Sequence, residues 1–210
     1  MQNYHKNTEK AERNNAITRL EQLHPHKTLL YLAIFGSSLL FVFLIVSYSL
    51  SLRDADIFFN FAFPKAFIVS LVLLLFSSYT MTRVVPAFVK DDLTTVKNSL
   101  GLTLLLGIAF TISQYVGWAE LYRSGIYLSG EASGAYLYVI SGLHVFHLAG
   151  GLVVLTIMYT QLSAISRDPV KKLIMVTNPY QKIKLEMLAS YWHFVDALWL
   201  ILFFYFLFSF

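Results

Sequence analysis

Apolar and polar positions fall along this chain in blocks. Five apolar runs, at about residues 29–50, 65–85, 99–121, 135–162 and 186–209, are separated by short segments that hold most of the charge. At about 1.5 Å of rise per residue, each run is long enough as a helix to cross roughly 30 Å of hydrocarbon. Only helices and closed barrels satisfy their backbone in lipid, and runs of this length suit helices. The pattern therefore predicts an all-α polytopic membrane protein, a bundle of five transmembrane helices forming one domain over residues 28–210. A polar tail over residues 1–27 precedes it. Lys6, Glu9, Lys10, Glu12, Arg13, Arg19 and Glu21 charge that tail, so no cleavable signal peptide is expected.

Composition sharpens this reading: 57% of the 210 residues are hydrophobic and 13% charged, far from an average soluble domain. Of 16 Lys and Arg, five lie in the tail (Lys6, Lys10, Arg13, Arg19, Lys27), three in the second loop (Arg83, Lys90, Lys97) and five in the fourth (Arg167, Lys171, Lys172, Lys182, Lys184). Arg53, Lys65 and Arg123 are left for the other side. The positive-inside rule then predicts a cytoplasmic N-terminus and a C-terminus on the periplasmic, outer face. The +4 net charge is explained by loops held beside an anionic leaflet and gives no reason to expect nucleic acid. With no Cys, thiolate metal sites, iron–sulfur clusters and disulfides are excluded. No inverted repeat of the kind common in transporters is visible, and Pro64, Pro86, Pro169 and Pro179 fall at span ends or in loops.

The informative exceptions are ionisable groups inside two apolar runs. Ser141-Gly142-Leu143-His144-Val145-Phe146-His147 lies in the fourth, and Trp192-His193-Phe194-Val195-Asp196-Ala197-Leu198-Trp199 in the fifth. Such groups are costly at mid-membrane, so they face protein and have partners. Counted from opposite faces, both clusters lie roughly 12 to 18 Å deep. His144 and His147 share a helix face at i, i+3, as do His193 and Asp196, so adjacent antiparallel spans are expected to set two imidazoles opposite an imidazole and a carboxylate. The simplest role is a structural polar lock. Gly142, Ala149, Gly150 and Gly151 suit close helix packing. A haem held by His144 and His193 is the minority reading. A di-metal cage would need more His, since His5, His24 and His26 sit in the tail. Gln114 is expected to make an interhelical hydrogen bond, Trp118 and Tyr122 to anchor at the interface, Glu120 to pair with Arg123 at headgroup level, and Arg83 to snorkel. The hydroxyls of Ser77-Ser78-Tyr79-Thr80-Met81 can bond their own backbone.

Four segments carry a family resemblance. Ser141 to His147 with Gly150-Gly151, Trp192-His193-Phe194-Val195-Asp196-Ala197-Leu198-Trp199, Ser77-Ser78-Tyr79-Thr80-Met81, and Gln114 to Trp118 together resemble subunit III of the haem–copper respiratory oxidases, in the short five-span bacterial form. Two acids of the family pattern are replaced: one position falls at Ser37-Ser38, the other at Gly117. The resemblance implies a non-catalytic subunit of a cytochrome c oxidase in the cytoplasmic (inner) membrane, with no catalytic, metal-binding or cofactor-binding residues of its own. It also implies haem and copper in partner subunits I and II, direct packing on subunit I, small subunits in the same complex, and support of proton uptake. It leaves room for bound phospholipid, with Glu120, Arg123 and Arg83 as headgroup contacts, and for a larger respiratory supercomplex. His144, His147, His193 and Asp196 are expected to form a structural network, and Gly142, Gly150, Gly151, Gln114, Trp118, Trp192 and Trp199 to serve helix packing. A quinol oxidase subunit III is the runner-up, a haem-binding membrane cytochrome a more distant one, and a small transporter a third.

Overall fold

The computed structural model describes residues 25–54, 65–128, 132–165 and 169–209. The expectations for the tail up to residue 24, with His5 and His24, and for the side chains of Arg53, Arg167 and Lys171 lie outside the described residues. Seven helices follow in order: α1 (Pro25–Asp54), α2 (Lys65–Thr82), α3 (Val84–Val89), α4 (Leu93–Arg123), α5 (Ala132–Ile165), α6 (Pro169–Thr177) and α7 (Pro179–Ser209). Among the described residues there is no strand. Five stretches are long and apolar enough to cross a membrane: Pro25–Ser51, Lys65–Val89, Leu93–Arg123, Gly134–Ile165 and Tyr180–Phe208. The protein is a polytopic helical membrane protein.

Several helices outrun their apolar cores, and local chemistry explains where they stop. Pro86 has no N–H and its ring crowds the carbonyl four residues earlier, so α2 breaks at Arg83, whose N–H reaches back three residues to Thr80 O at 3.3 Å. The chain re-enters a helix at Val84, and the second span ends at Val89 rather than near residue 85. Asp91 follows with φ of 58°, a left-handed turn in which Asp92 N–H bonds Ala87 O at 3.0 Å. Asp92 then caps α4, its Oδ1 accepting from Thr95 N–H at 3.1 Å and its Oδ2 from Thr95 Oγ1 at 2.5 Å. That cap starts the helix at Leu93, ahead of the apolar run. At the far end Gly125, at φ of 84°, closes α4 as Ile126 N–H returns to Leu121 O at 3.1 Å. Asn178 Oδ1 accepts from Tyr180 N–H at 3.0 Å and starts α7 well before its apolar stretch.

The chain divides into two units, one ending at Leu39 and one running Leu40–Phe210. In the first, the described residues are helical, and Ser38 Oγ donates to Ile34 O at 2.8 Å. In the second, α2, α4, α5 and α7 pack in a closed ring, α2 on α4, α4 on α5, α5 on α7 and α7 on α2. Lipid is as apolar as Leu, so dispersion contacts and interhelical hydrogen bonds hold such a ring together. Trp192, Trp199, Phe67, Leu100, Leu137 and Ile140 are fully enclosed in it. The Leu40–Ser51 part of α1 is fastened by Ser47 to Tyr136 OH at 2.9 Å and by Ser49 to Tyr205 OH at 2.5 Å. Between them Tyr48 is buried against the rings of Tyr136, Tyr205 and Phe206.

Candidate functional site

The polar core is organised by serines of α2. Ser70 and Ser77 are seven residues apart and so share one helix face, with Ser78 beside it. Trp192 Nε1 donates to Ser77 Oγ at 2.7 Å, Trp199 Nε1 to Ser70 Oγ at 3.2 Å, and Ser78 Oγ bonds His193 Nδ1 at 3.0 Å. The Ser78 hydroxyl is also the polar neighbour of the Asp196 carboxyl. Four residues from about two turns of α7 thus engage three hydroxyls of α2. Of the hydroxyl-to-backbone bonds expected in this segment Thr80 makes one, Oγ1 to Ser77 O at 2.8 Å, and Thr80 continues the seam by bonding Thr103 of α4 at 2.7 Å.

This differs from a direct meeting of two His with a His and an Asp. α5 and α7 are neighbours, but the link between them is aromatic. His144 is buried and stacks on Trp199, ring centres 5.0 Å apart and 29° between planes, with Phe110 edge-on at 5.6 Å. Among the described residues neither ring nitrogen of His144 has a hydrogen-bonding partner, nor does Asp196 Oδ2. His147 is one turn away along the helix; its Nδ1 lies 2.9 Å from the Leu143 carbonyl of its own helix, and its ring meets Phe41 edge-on at 5.4 Å. The bond between α5 and α7 runs through the backbone, Tyr191 OH donating to His147 O at 2.8 Å. Ser78 of α2 stands against His193 and Asp196, while the imidazoles of α5 meet Trp199, Phe110 and Phe41. His144 and His193 are engaged by different helices, so they do not form the facing pair that a bis-His haem requires. Among the described residues no three His, Asp or Glu gather as metal ligands do.

The small residues also work differently from expectation. At Gly151 an added Cβ would lie 3.0 Å from the Tyr191 ring, so this glycine admits a ring rather than a backbone. Gly150 and Gly142 are looser, with nearest atoms at 3.8 and 3.9 Å. The tightest position is Gly117, where a Cβ would fall 2.3 Å from Phe67. Phe67 therefore occupies the volume of the side chain that Gly117 lacks, and it packs edge-on against Trp199 at 5.7 Å. Gly107 does the same for Leu152 and Trp192, at 2.8 and 3.0 Å.

The remaining candidates sit towards helix ends. Trp118 is half-buried and donates through Nε1 to Ser141 Oγ at 2.9 Å, while Tyr138 OH donates to Trp118 O at 3.3 Å and Ile126 O at 2.9 Å. It joins α4 to α5 in addition to any anchoring role. Tyr122 is exposed and meets Tyr127 edge-on at 4.9 Å. Arg83 is exposed, donates to Tyr79 OH and lies over the Tyr79 ring at 4.7 Å. Among the described residues the ion pair is Lys182 with Glu186 at 3.7 Å; Glu120 and Arg123 form none. Exposed pairs gain little from closing, so nothing holds those two side chains together. Ser70, Ser77, Ser78, Phe67 and Phe110 were not singled out for these contacts. The i, i+7 spacing of Ser70 and Ser77 was the signal available for two of them.

The fold and the seam define a class: a polytopic helical membrane bundle in which serines of one span bond indole and imidazole side chains of another. The family model described as Cytochrome c oxidase subunit III matches residues 62–209, which include all four helices of the ring, and the chain belongs to that family. It is similar to probable cytochrome c oxidase subunit 3 of Nocardia farcinica, 30% identical over 131 residues that cover 62% of this chain and 60% of that protein. The cytochrome c oxidase subunit 3 of Corynebacterium diphtheriae is 26% identical over 140 residues, covering 67% of this chain and 63% of that protein. For the probable subunit 3 of Rickettsia felis the figures are 33% over 144 residues, 67% and 46%. The chain thus spans about half to three fifths of the length of the relatives it matches.

Proposed function

We propose that this chain is the accessory subunit III of a proton-pumping haem–copper terminal oxidase, seated in the bacterial cytoplasmic membrane with its N-terminus inside. In this reading it packs directly on catalytic subunit I, keeps company with subunit II and small subunits, supports proton uptake during the reduction of O2 to water, and holds no haem or copper itself. The observation that carries the proposal is the seam itself: the Ser77-Ser78-Tyr79-Thr80-Met81 and Trp192-to-Trp199 segments that mark the family resemblance bond one another at Trp192–Ser77 and His193–Ser78. The printed names of the relatives favour cytochrome c over quinol as the electron donor of the complex. His193 and Asp196, with Ser78 between them, serve assembly, His144 positions α5 against α4 and α7 through Phe110 and Trp199, and His147 positions it against α1 through Phe41.

The test is purification of the native complex through an affinity tag on this chain. Expected are co-migrating subunits with the haem and copper spectra of an oxidase, together with a colourless chain once subunit III is stripped from it. Absence of any haem protein in the purified complex would reject the oxidase reading, and a Soret band retained by the stripped chain would replace it with a cytochrome.

A further inference from the structure

Among the described residues, Nδ1 and Nε2 of His144 and Oε1 and Nε2 of Gln114 are buried in the helical ring with no hydrogen-bonding partner. Both residues are 0% exposed, so neither lipid nor another subunit reaches them. Their positions are tied together across α4 and α5. Phe110, one turn before Gln114, lies edge-on to the His144 ring at 5.6 Å. Trp118, one turn after Gln114, donates to Ser141, one turn before His144, at 2.9 Å. Gln114 is thus bracketed on its helix by two residues that touch the His144 turn of α5. Trp199 stacks on His144, and Phe67 is pressed into Gly117 beside Gln114.

Buried imidazole and amide groups are almost always satisfied in native proteins, and where no direct partner is in reach an internal water does it. The donor set selects the ligand. A neutral imidazole offers one donor and one acceptor, and a primary amide offers donors and an acceptor. No carboxylate or thiolate stands among the four atoms, so a metal cation has no charge to meet. Aromatic neighbours leave a small, uncharged molecule that both donates and accepts. We propose that Gln114 and His144 form an internal water site, in which bound water bridges the Gln114 amide on α4 and the His144 ring on α5. The site makes the α4–α5 contact depend on a molecule that sequence cannot encode directly.

The experiment uses the full chain in its native complex, reconstituted in lipid nanodiscs and labelled with nitrogen-15 at His and Gln, and measures magnetisation transfer from water by solid-state NMR. Water signal at both the His144 ring and the Gln114 side-chain amide is expected. Absence of transfer at either residue, or a direct Gln114–His144 hydrogen bond in its place, overturns the site. A second measurement uses His144→Phe, Gln114→Leu and the double variant. Each single change is expected to remove the water signal at the remaining residue and to lower Tm by about 3 to 6 °C, because it strands the other group. The double variant then regains more than half of the combined loss. Additive losses, with the water signal of the untouched residue unchanged, would show two unlinked positions and reject a shared site. Should a variant fail to fold, the wild-type transfer measurement alone decides.

Discussion

Ser78 is one hydroxyl standing against two ionisable side chains, bonded to His193 Nδ1 and adjacent to the Asp196 carboxyl. Removing it strands both, and a stranded buried partner costs about 1 to 3 kcal/mol. Ser78→Ala should therefore lower the midpoint of thermal unfolding by several degrees and loosen the hold of the complex on this chain. Ser78→Thr, which keeps the hydroxyl, should lose less of both, and equal losses for the two would remove the bond from the account. Asp196→Leu is expected to weaken retention of the chain during purification of the complex. Full retention and unchanged stability would strip Asp196 of its structural role. Outside the membrane, Asp92 tests the cap of α4. The Thr95 hydroxyl and N–H hold its carboxyl below the ordinary range. A depressed folded pKa means that its contribution is complete above the usual carboxylate range and is lost as pH falls from that range through the lowered folded value. The protection factor of the Thr95 amide should accordingly hold steady down to about pH 5 and fall below about pH 4, and Asp92→Ala should flatten that dependence.

At the scale of the helix, Gly117 and Phe67 behave as one object. A methyl at position 117 would collide with the Phe67 ring at 2.3 Å, and overpacking of a tight core costs about 1 to 3 kcal/mol. Gly117→Ala should destabilise the purified chain by that amount in thermal melts, and Phe67→Leu in the same chain should restore part of it. Purely additive effects would mean the two positions do not compete for one volume. Five helices of the right type were legible in the block pattern because lipid enforces length and apolarity on each of them. Their ends were not: α4 begins at Leu93 and α7 at Pro179 because Asp92 and Asn178 supply caps, and a polar capping turn is invisible to an apolar count. The polar residues of the core were legible too, since His144, His193 and Asp196 stand out in apolar surroundings. Their partners were not, because a serine in a membrane helix has its own backbone to bond, and only packing reveals that Ser77 and Ser78 turn their hydroxyls towards α7 instead.

At the scale of the molecule, thirteen of the sixteen basic residues fall in or beside the N-terminal tail and the second and fourth connections between spans, on which the proposed orientation rests. Because the chain has no cysteine, single substitutions report on it without background. Ser124→Cys, in the turn after α4, should react with a membrane-impermeant maleimide in intact spheroplasts. Lys90→Cys, in the turn after α3, should react only once the membrane is opened. Both residues are exposed, so a reversed result would mean a reversed chain.

The bonds that join Ser77 to Trp192 and Ser78 to His193 span 115 positions of sequence each. A ribosome feeding this chain into the bilayer delivers the two hydroxyls long before their mates exist. Until the final crossing emerges, the half-made protein carries an unfinished edge that either an insertion chaperone shelters or a membrane protease finds. A stop codon just ahead of α7 should leave a fragment cleared soon after synthesis, even though every earlier crossing is intact.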